Sequence, residues 1–184
     1  TDMKLPVSIC FILSFLFSSA QDGTSYEAFV NSTTEVRLTD SLHIDSISWE
    51  MKLIDSSAVR KWFSNLLPNS INNRLRNRNY YLAGKITSHS NFDLLLVLEE
   101  KKRADSNTVQ VIYFVTLRKD GTYISSLEAA VSGNRKKSSY NTSSWLYKDY
   151  KIVKDSRMVI NQKNYDDVAS YKISGNGRFI LYSN

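Results

Sequence analysis

Three apolar runs follow one another in the middle of the chain, and they constrain the fold more than any other feature. Residues 92–100 include an unbroken aliphatic stretch, residues 109–117 are rich in β-branched and aromatic side chains, and residues 123–131 follow after a short polar break. Unbroken runs of this length are typical of strands that are buried on both faces. Asp120 and Gly121 separate the last two runs and favour a tight hairpin, because glycine adopts positive φ without steric cost. The centre of the chain therefore predicts an antiparallel meander.

Further strand-like segments flank this centre. Partial alternation of apolar residues between positions 35 and 54 predicts one or two strands. We expect the later strands at residues 80–87, 145–153, 158–162, 168–173 and 179–182, with turns at 154–155, 164–167 and 174–177. Short connections join strands that are neighbours in space, so the sheet should be antiparallel. The expected fold is mainly β, with a curled sheet or a partly closed barrel.

One amphipathic helix is predicted at about residues 56–67, before the central strands. Asp55, Ser56 or Ser57 can supply the N-cap oxygen, and Pro68 ends the helix because its ring cannot continue the hydrogen-bond ladder. The apolar stripe has helical spacing, and we expect its members to fasten the helix to the sheet: Val59, Trp62, Phe63, Leu66 and Leu67.

Residues 1–20 resemble a secretory signal peptide that begins at Met3, after a two-residue leader remnant. A basic residue, an apolar run and then small residues predict cleavage between Ala20 and Gln21. We expect a mobile leader at residues 21–34 and a single domain at residues 35–184, located in the periplasm or outside the cell. No later segment approaches the ~20 apolar residues of a transmembrane helix.

The single cysteine, Cys10, lies within the predicted signal peptide. The mature chain would then contain no cysteine, which excludes disulfides, thiolate metal sites and cysteine nucleophiles there. Its stability would have to come from the apolar core.

The chain is basic, with a formal net charge of +6 and a pI near 9.3. This charge favours weak attraction to acidic surfaces, without predicting specific binding of nucleic acid. Residues 132–144 are expected to form an exposed, mobile basic loop. The candidate contacts for an anionic partner fall in two clusters, Arg135, Lys136 and Lys137 in this loop and Arg74, Arg76 and Arg78 before the central strands.

Several short motifs occur in a characteristic order. They comprise Tyr80-Tyr81 with Gly84-Lys85, Asn91-Phe92 with Leu95, Ile124 with Ser126-Leu127, and Tyr171 and Ile173 with Gly177 and Phe179. In this order the chain resembles a loose group of small exported bacterial β-meander proteins of unassigned function. The resemblance implies the fold and the compartment, and it transfers no catalytic or binding residue. In place of the group's acidic, glycine-rich connection, this chain has the basic stretch 133–137.

The sequence contains no recognisable catalytic, cofactor or metal motif. His43 and His89 are far apart, and neither belongs to a His-Glu-x-x-His pattern. There is also no Gly-x-Ser-x-Gly motif, which marks the nucleophile of many serine hydrolases. We therefore predict no catalytic residue, no cofactor and no metal site.

The sequence favours a non-enzymatic envelope protein that binds a protein or glycan through its β-meander. Aromatic side chains supply the contact surface for such binding, and the candidates are Tyr113, Tyr123, Trp145, Tyr147 and Tyr150. One alternative is a polysaccharide hydrolase that uses carboxylates on the strands, with Asp93, Glu99 and Glu128 as candidates. Another is a carrier of a small molecule or lipid, if the curled sheet encloses an apolar cavity.

Overall fold

A computed structural model of the chain describes residues 25–66, 77–86, 89–101, 108–135 and 137–182. The described part forms one sheet of eleven strands with two short helices, which confirms the predicted mainly-β fold with an antiparallel, curled meander. The strands are β1 Glu35–Val36, β2 Ser41–Ile44, β3 Lys52–Leu53, β4 Arg78–Ile86, β5 Phe92–Lys101, β6 Val109–Arg118, β7 Tyr123–Arg135, β8 Ser138–Tyr147, β9 Lys151–Ile160, β10 Lys163–Ile173 and β11 Phe179–Leu181. The helices are α1 Tyr26–Asn31 and α2 Ser56–Trp62, and a 3₁₀ turn follows at Ser64–Leu66.

Strands β4 to β11 pair in chain order, each antiparallel to the next. β1 pairs with β4 in parallel, β3 also pairs with β4, and β2 pairs with the second half of β8. Within the described residues the first and last strands of this order, β1 and β11, do not pair, so the sheet is not closed. Of the two predicted forms, the structure has the open, curled sheet and not the partly closed barrel.

Strand β5 is buried on both faces, which is the reason for its unbroken apolar sequence. Leu95 and Val97 pack in one cluster with the helices. Leu94, Leu96 and Leu98 pack on the other face. This second cluster also contains residues from β2 and β8 to β10, namely Ile44, Leu146, Ile152 and Ile173. The later strands thus cover one face of the central meander, and the helices cover the other.

Helix α2 begins and packs as the sequence predicts, although it is shorter. Asp55 is the N-cap, and its Oδ1 accepts hydrogen bonds from the backbone N–H groups of Ser57 and Ala58 at 2.8 and 2.9 Å. The hydrogen bond from the Ser57 hydroxyl, and after it the backbone bonds, lower the pKa of Asp55. Trp62 and Phe63 are buried in the helix-side cluster, as predicted. The helix ends at Trp62 because Phe63 is its C-cap; Leu67 and Pro68 lie outside the described residues.

The mobile leader predicted at residues 21–34 is wrong where the structure describes it. Ser25 caps α1 by accepting a hydrogen bond from the Ala28 N–H at 3.1 Å. Tyr26, Phe29 and Val30 are buried, and the Phe29 ring lies 4.5 Å from the Trp62 ring. Three apolar residues at positions i, i+3 and i+4 make one buried helical face. Such a short pattern gives no sustained period in the sequence.

The predicted turns in the last third are partly wrong. β9 continues through residues 154–155, and β10 continues through residues 164–167. The connection between these strands is Asn161-Gln162, whose φ angles of 50° and 68° are those of a two-residue hairpin turn. The preceding turn lies at residues 148–150, inside the strand predicted at 145–153. Residues 163–168 of β10 are all exposed, and residues 157–160 of β9 do not alternate between buried and exposed positions, so neither end shows the pattern of a half-buried strand.

The basic loop predicted at residues 132–144 is also wrong. β7 continues to Arg135 and β8 begins at Ser138, and the two strands pair from Val131–Thr142 to Arg135–Ser138. The backbone hydrogen bonds of an antiparallel ladder do not depend on side-chain polarity, so a polar segment can form a hairpin at the edge of the core.

Candidate binding surface

An exposed aromatic pair lies where β2 meets β8. His43 and Trp145 are directly opposite in the strand register, so their side chains point to the same face. Their rings stack with centroids 4.4 Å apart and planes inclined by 28°. Trp145 is 43% exposed, although a side chain of this size is usually mostly buried. The stack holds an indole ring in a fixed orientation at the surface.

The same face continues across the neighbouring strands. Trp145 is opposite Val153, Val153 is opposite Ser170, and the Ser170 carbonyl accepts a hydrogen bond from the Tyr182 N–H at 2.7 Å. From Trp145 to Tyr182 this row spans three strand spacings, roughly 14 Å. Two residues after Trp145 on the same strand, Tyr147 points to the same side and is also exposed. We call the set His43, Trp145, Tyr147, Val153 and Tyr182 the aromatic surface.

A depression of about 700 Å³ adjoins this surface. The turn between β8 and β9 forms one wall, and the residues that line the depression are Asp40, Tyr147, Lys148, Asp149, Lys151 and Val153. Lys151 Nζ lies 5.6 Å from the centroid of the Tyr182 ring, within the range of a cation–π interaction. Hydrogen-bonding groups of both charges therefore lie beside the exposed rings.

The structure separates the five aromatic residues that the sequence singled out. Trp145 and Tyr147 are exposed and belong to the aromatic surface. Tyr113 and Tyr123 instead pack partly buried against the helix-side cluster, and Tyr150 packs against the other cluster. His43 was missed as a site residue, because its position beside Trp145 depends on a pairing between strands about 100 residues apart in the chain.

Asp93, one of the candidate catalytic carboxylates, is buried beneath α1. Lys119 Nζ donates to its Oδ1 at 2.6 Å, the Tyr26 hydroxyl donates to its Oδ2 at 3.1 Å, and Lys85 Nζ lies 3.6 Å from Oδ1. A cleft of about 360 Å³ opens beside this group. Burial raises the pKa of Tyr26, and the negative charge of Asp93 raises it further.

Glu99 is buried at the other end of β5, with 1% of its side chain exposed. It forms an ion pair with Arg78, and Lys101 Nζ lies 3.7 Å from its Oε2. The hydroxyl groups of Tyr80 and Tyr113 donate to its two oxygens at 3.2 and 3.0 Å. Burial first, and then the charge of Glu99, raises the pKa of both tyrosines.

Of the three candidate carboxylates, Asp93 and Glu99 do not form a glycosidase pair. Asp93 and Glu99 are six residues apart on one strand, which separates their backbones by about 20 Å. The two carboxyl groups of a glycosidase lie ~5–9.5 Å apart. Each candidate is also held by a cation. Asp93 and Glu99 are paired as described above, and Lys154 Nζ donates to Glu128 at 3.1 Å.

The basic residues predicted to contact an anionic partner do not form one described cluster. The Arg78 guanidinium is paired with Glu99, because a buried carboxylate requires a cation. Its role as a partner contact stays a prediction. Lys137 is exposed in the turn after β7, and Arg135 ends that strand. Arg74, Arg76 and Lys136 lie outside the described residues.

Across the described ranges, no group of three or more His, Cys, Asp or Glu residues is placed to hold a metal ion. The helices in this part of the chain are all too short or too polar to cross a membrane.

No protein-family model, curated protein or solved structure matches this chain. The resemblance to exported β-meander proteins therefore stays a prediction.

Proposed function

We propose that this chain is an exported, non-enzymatic envelope protein that binds a glycan through the aromatic surface. The observation that carries the proposal is the exposed Trp145 ring, fixed by its stack on His43. A ring that is already oriented loses little conformational entropy on binding, so more of the contact energy remains for affinity.

The chemistry of the surface suits a sugar. The face of an aromatic ring carries partial negative charge, and it attracts the C–H groups on the apolar face of a sugar ring. Sugar hydroxyl groups both donate and accept hydrogen bonds. The adjoining depression supplies acceptors from Asp40 and Asp149 and donors from Lys148 and Lys151. Ligand sites commonly combine an apolar floor with a few polar groups in this way.

The size of the surface favours a glycan over a protein partner. A row of roughly 14 Å suits a short oligosaccharide. A stable protein–protein interface instead covers ~800 Å² on each partner and is centred on a well-packed apolar core. The aromatic surface is narrow and lies beside charged side chains, and this combination is less suited to such an interface.

The other two classes have less support. A glycosidase uses two carboxylates close to the scissile bond, whereas Asp93 and Glu99 are about 20 Å apart and all three candidates, Asp93, Glu99 and Glu128, are held by cations. A lipid or small-molecule carrier needs an enclosed apolar cavity, whereas three clefts among the described residues, beside Tyr147, Lys119 and Asp93, open at the surface.

Binding to cello-oligosaccharides, chito-oligosaccharides and heparin, measured by calorimetry, tests this proposal. We expect at least one of these probes to bind, and we expect Trp145→Ala and His43→Ala each to weaken that binding. Leu53→Ala is the matched control, because Leu53 is 60% exposed on β3, away from the aromatic surface. Bound glycan should also protect Trp145 from acrylamide quenching. If binding is equally strong in the Trp145→Ala variant, the aromatic surface is not the glycan site.

A further inference from the structure

One edge of β10 is open along most of its length. On one side, β10 pairs with β9 from Lys163 to Lys172. On the other side it pairs with β11 only from Tyr171 to Ile173, with one more bond from the Tyr182 N–H to the Ser170 carbonyl. Among the described strands, none pairs with this second side along residues 163–169. An open edge presents unpaired N–H and C=O groups to any extended chain.

The backbone groups that point outward belong to the even-numbered residues. The bond from Tyr182 to Ser170 shows that Ser170 directs its carbonyl away from β9, and this direction alternates along a strand. The Ile173 N–H agrees, since it bonds on the opposite side, to the Tyr150 carbonyl. Asn164, Asp166 and Val168 therefore direct their N–H and C=O groups toward the open edge.

The side chains along this edge are exposed on both faces of the strand. Tyr165 is 47% exposed and Val168 is 68% exposed, and residues 163–168 are all exposed. Charged residues on an edge often prevent pairing with other chains. Here, however, the charges are arranged symmetrically, with Lys163 two residues before Tyr165 and Asp167 two residues after it.

We propose that β10 pairs antiparallel with β10 of a second copy of this chain, in the register centred on Tyr165. Lys163 then lies opposite Asp167 of the partner subunit, and the same ion pair occurs twice by symmetry. Tyr165 lies opposite Tyr165 of the partner subunit. Because the even-numbered residues form the hydrogen bonds, these odd-numbered pairs are the non-hydrogen-bonded ones, whose side chains are closest.

The charges favour this register over its two neighbours. The register centred on Asn164 places Lys163 opposite Tyr165 and loses both ion pairs. In an antiparallel pair, residues whose backbone groups point toward the partner strand must lie opposite residues of the same kind. Here these are the even-numbered residues, so only registers that place even-numbered residues opposite even-numbered residues are allowed. The next register is centred on Asp166 and places two aspartates directly opposite one another, which is destabilising. The register centred on Tyr165 has no like-charge pair and satisfies the outward groups of Asn164 and Asp166.

The pairing has a consequence for the aromatic surface. The two-fold axis of an antiparallel strand pair is perpendicular to the sheet, so both copies present the same face on the same side. The aromatic surfaces of two copies would then face a glycan together. Two linked sites increase the overall affinity for a repetitive polymer without any new contact.

Sedimentation velocity over a range of protein concentrations tests the pairing independently of any glycan. We expect a concentration-dependent dimer, because an interface of one strand pair is small. Lys163→Asp and Asp167→Lys should each weaken the dimer by about tenfold or more, because each creates like-charge pairs. The double variant Lys163→Asp/Asp167→Lys should restore it.

Asp166→Asn is the matched control, since the register centred on Tyr165 gives Asp166 no charged partner, and this variant should dimerise like the wild type. Circular dichroism should show that each variant keeps its fold, because the substituted side chains are exposed. A wild type that is monomeric at all concentrations would overturn the proposal. It would also be overturned if the double variant dimerised no better than the single variants. Neither result would bear on glycan binding by the monomer.

Discussion

The hydroxyl group of Tyr26 donates a hydrogen bond to Oδ2 of Asp93, 67 residues later in the chain, at 3.1 Å. Tyr26 is the first residue of α1, and Asp93 is the second residue of β5. The bond therefore fastens the first described helix to the centre of the sheet. Both side chains are buried, with 7% and 4% exposed, so the bond is shielded from competing water.

Tyr26→Phe should lower the free energy of unfolding by roughly 1.5–3 kcal/mol, the usual range for a hydrogen bond to a charged group. The ring still packs against Trp62, so only the bond to Asp93 is lost. Urea unfolding would measure the change. Tyr147→Phe is the control, because its ring is exposed, and it should unfold like the wild type. An unchanged unfolding midpoint in Tyr26→Phe would show that this bond does not stabilise the fold.

Stability should fall as the pH rises above ~10, the ordinary pKa of tyrosine. The pKa values of Tyr26, Tyr80 and Tyr113 are raised in the folded chain, mainly by burial. Above pH ~10 the unfolded chain releases the tyrosine protons while the folded chain keeps them. The free energy of unfolding therefore falls with rising pH until the pH reaches the pKa of these tyrosines in the folded chain.

Unfolding in urea at pH 8 and at pH 11 would measure this loss, and Tyr113→Phe should lose less stability between the two than the wild type. Tyr147→Phe should lose as much as the wild type. Equal losses in all three proteins would contradict the assignment of this effect to the buried phenol.

Gly121→Ala should destabilise the protein by roughly 1–2 kcal/mol from backbone strain alone, because Gly121 has a φ of 87°. An added Cβ would also lie 2.9 Å from the Tyr26 ring and 3.0 Å from Nε1 of Trp62. Gly175→Ala is the matched control, since its Cβ would meet nothing within 4 Å. Thermal unfolding of both variants would test this. A similar midpoint for the two variants would mean that the turn tolerates a side chain at position 121.

Trp62→Ala should cost ~3–5 kcal/mol, a large part of the stability of one domain. Trp62 is 5% exposed and packs against Tyr26 and Phe29. Trp145→Ala should change stability by only about 0.5 kcal/mol, because its ring is partly exposed. Chemical denaturation would compare them. Equal losses in the two variants would mean that Trp145 is a structural residue, and its proposed role in binding would lose its basis.

The sequence predicted the centre of the fold closely. The predicted runs match β5 and β6 except for one further residue at the end of each strand. The match is close because both faces of these strands are buried, so almost every position had to be apolar. The N-cap at Asp55 and the hairpin at Gly121 were also readable, since each depends on the chemistry of a few adjacent residues.

Where strands are exposed, the sequence predicted less. The far ends of β7, β8 and β10 are mostly polar, so the sequence predicted loops or turns where their ladders in fact continue. The hydrogen bonds of these ladders use the backbone, which has the same donors and acceptors whatever the side chain. For the same reason, the sequence did not predict the open edge of β10.

The sequence by itself determined the mainly-β class, the central meander and the burial of Trp62 and Phe63, because hydrophobic burial leaves a pattern that is local in the chain. Only the tertiary structure decided that His43 stacks on Trp145 and that Arg78 is paired with Glu99. These contacts depend on which strands pair and in which register. Pairing joins residues far apart in sequence, and no local pattern specifies the partner.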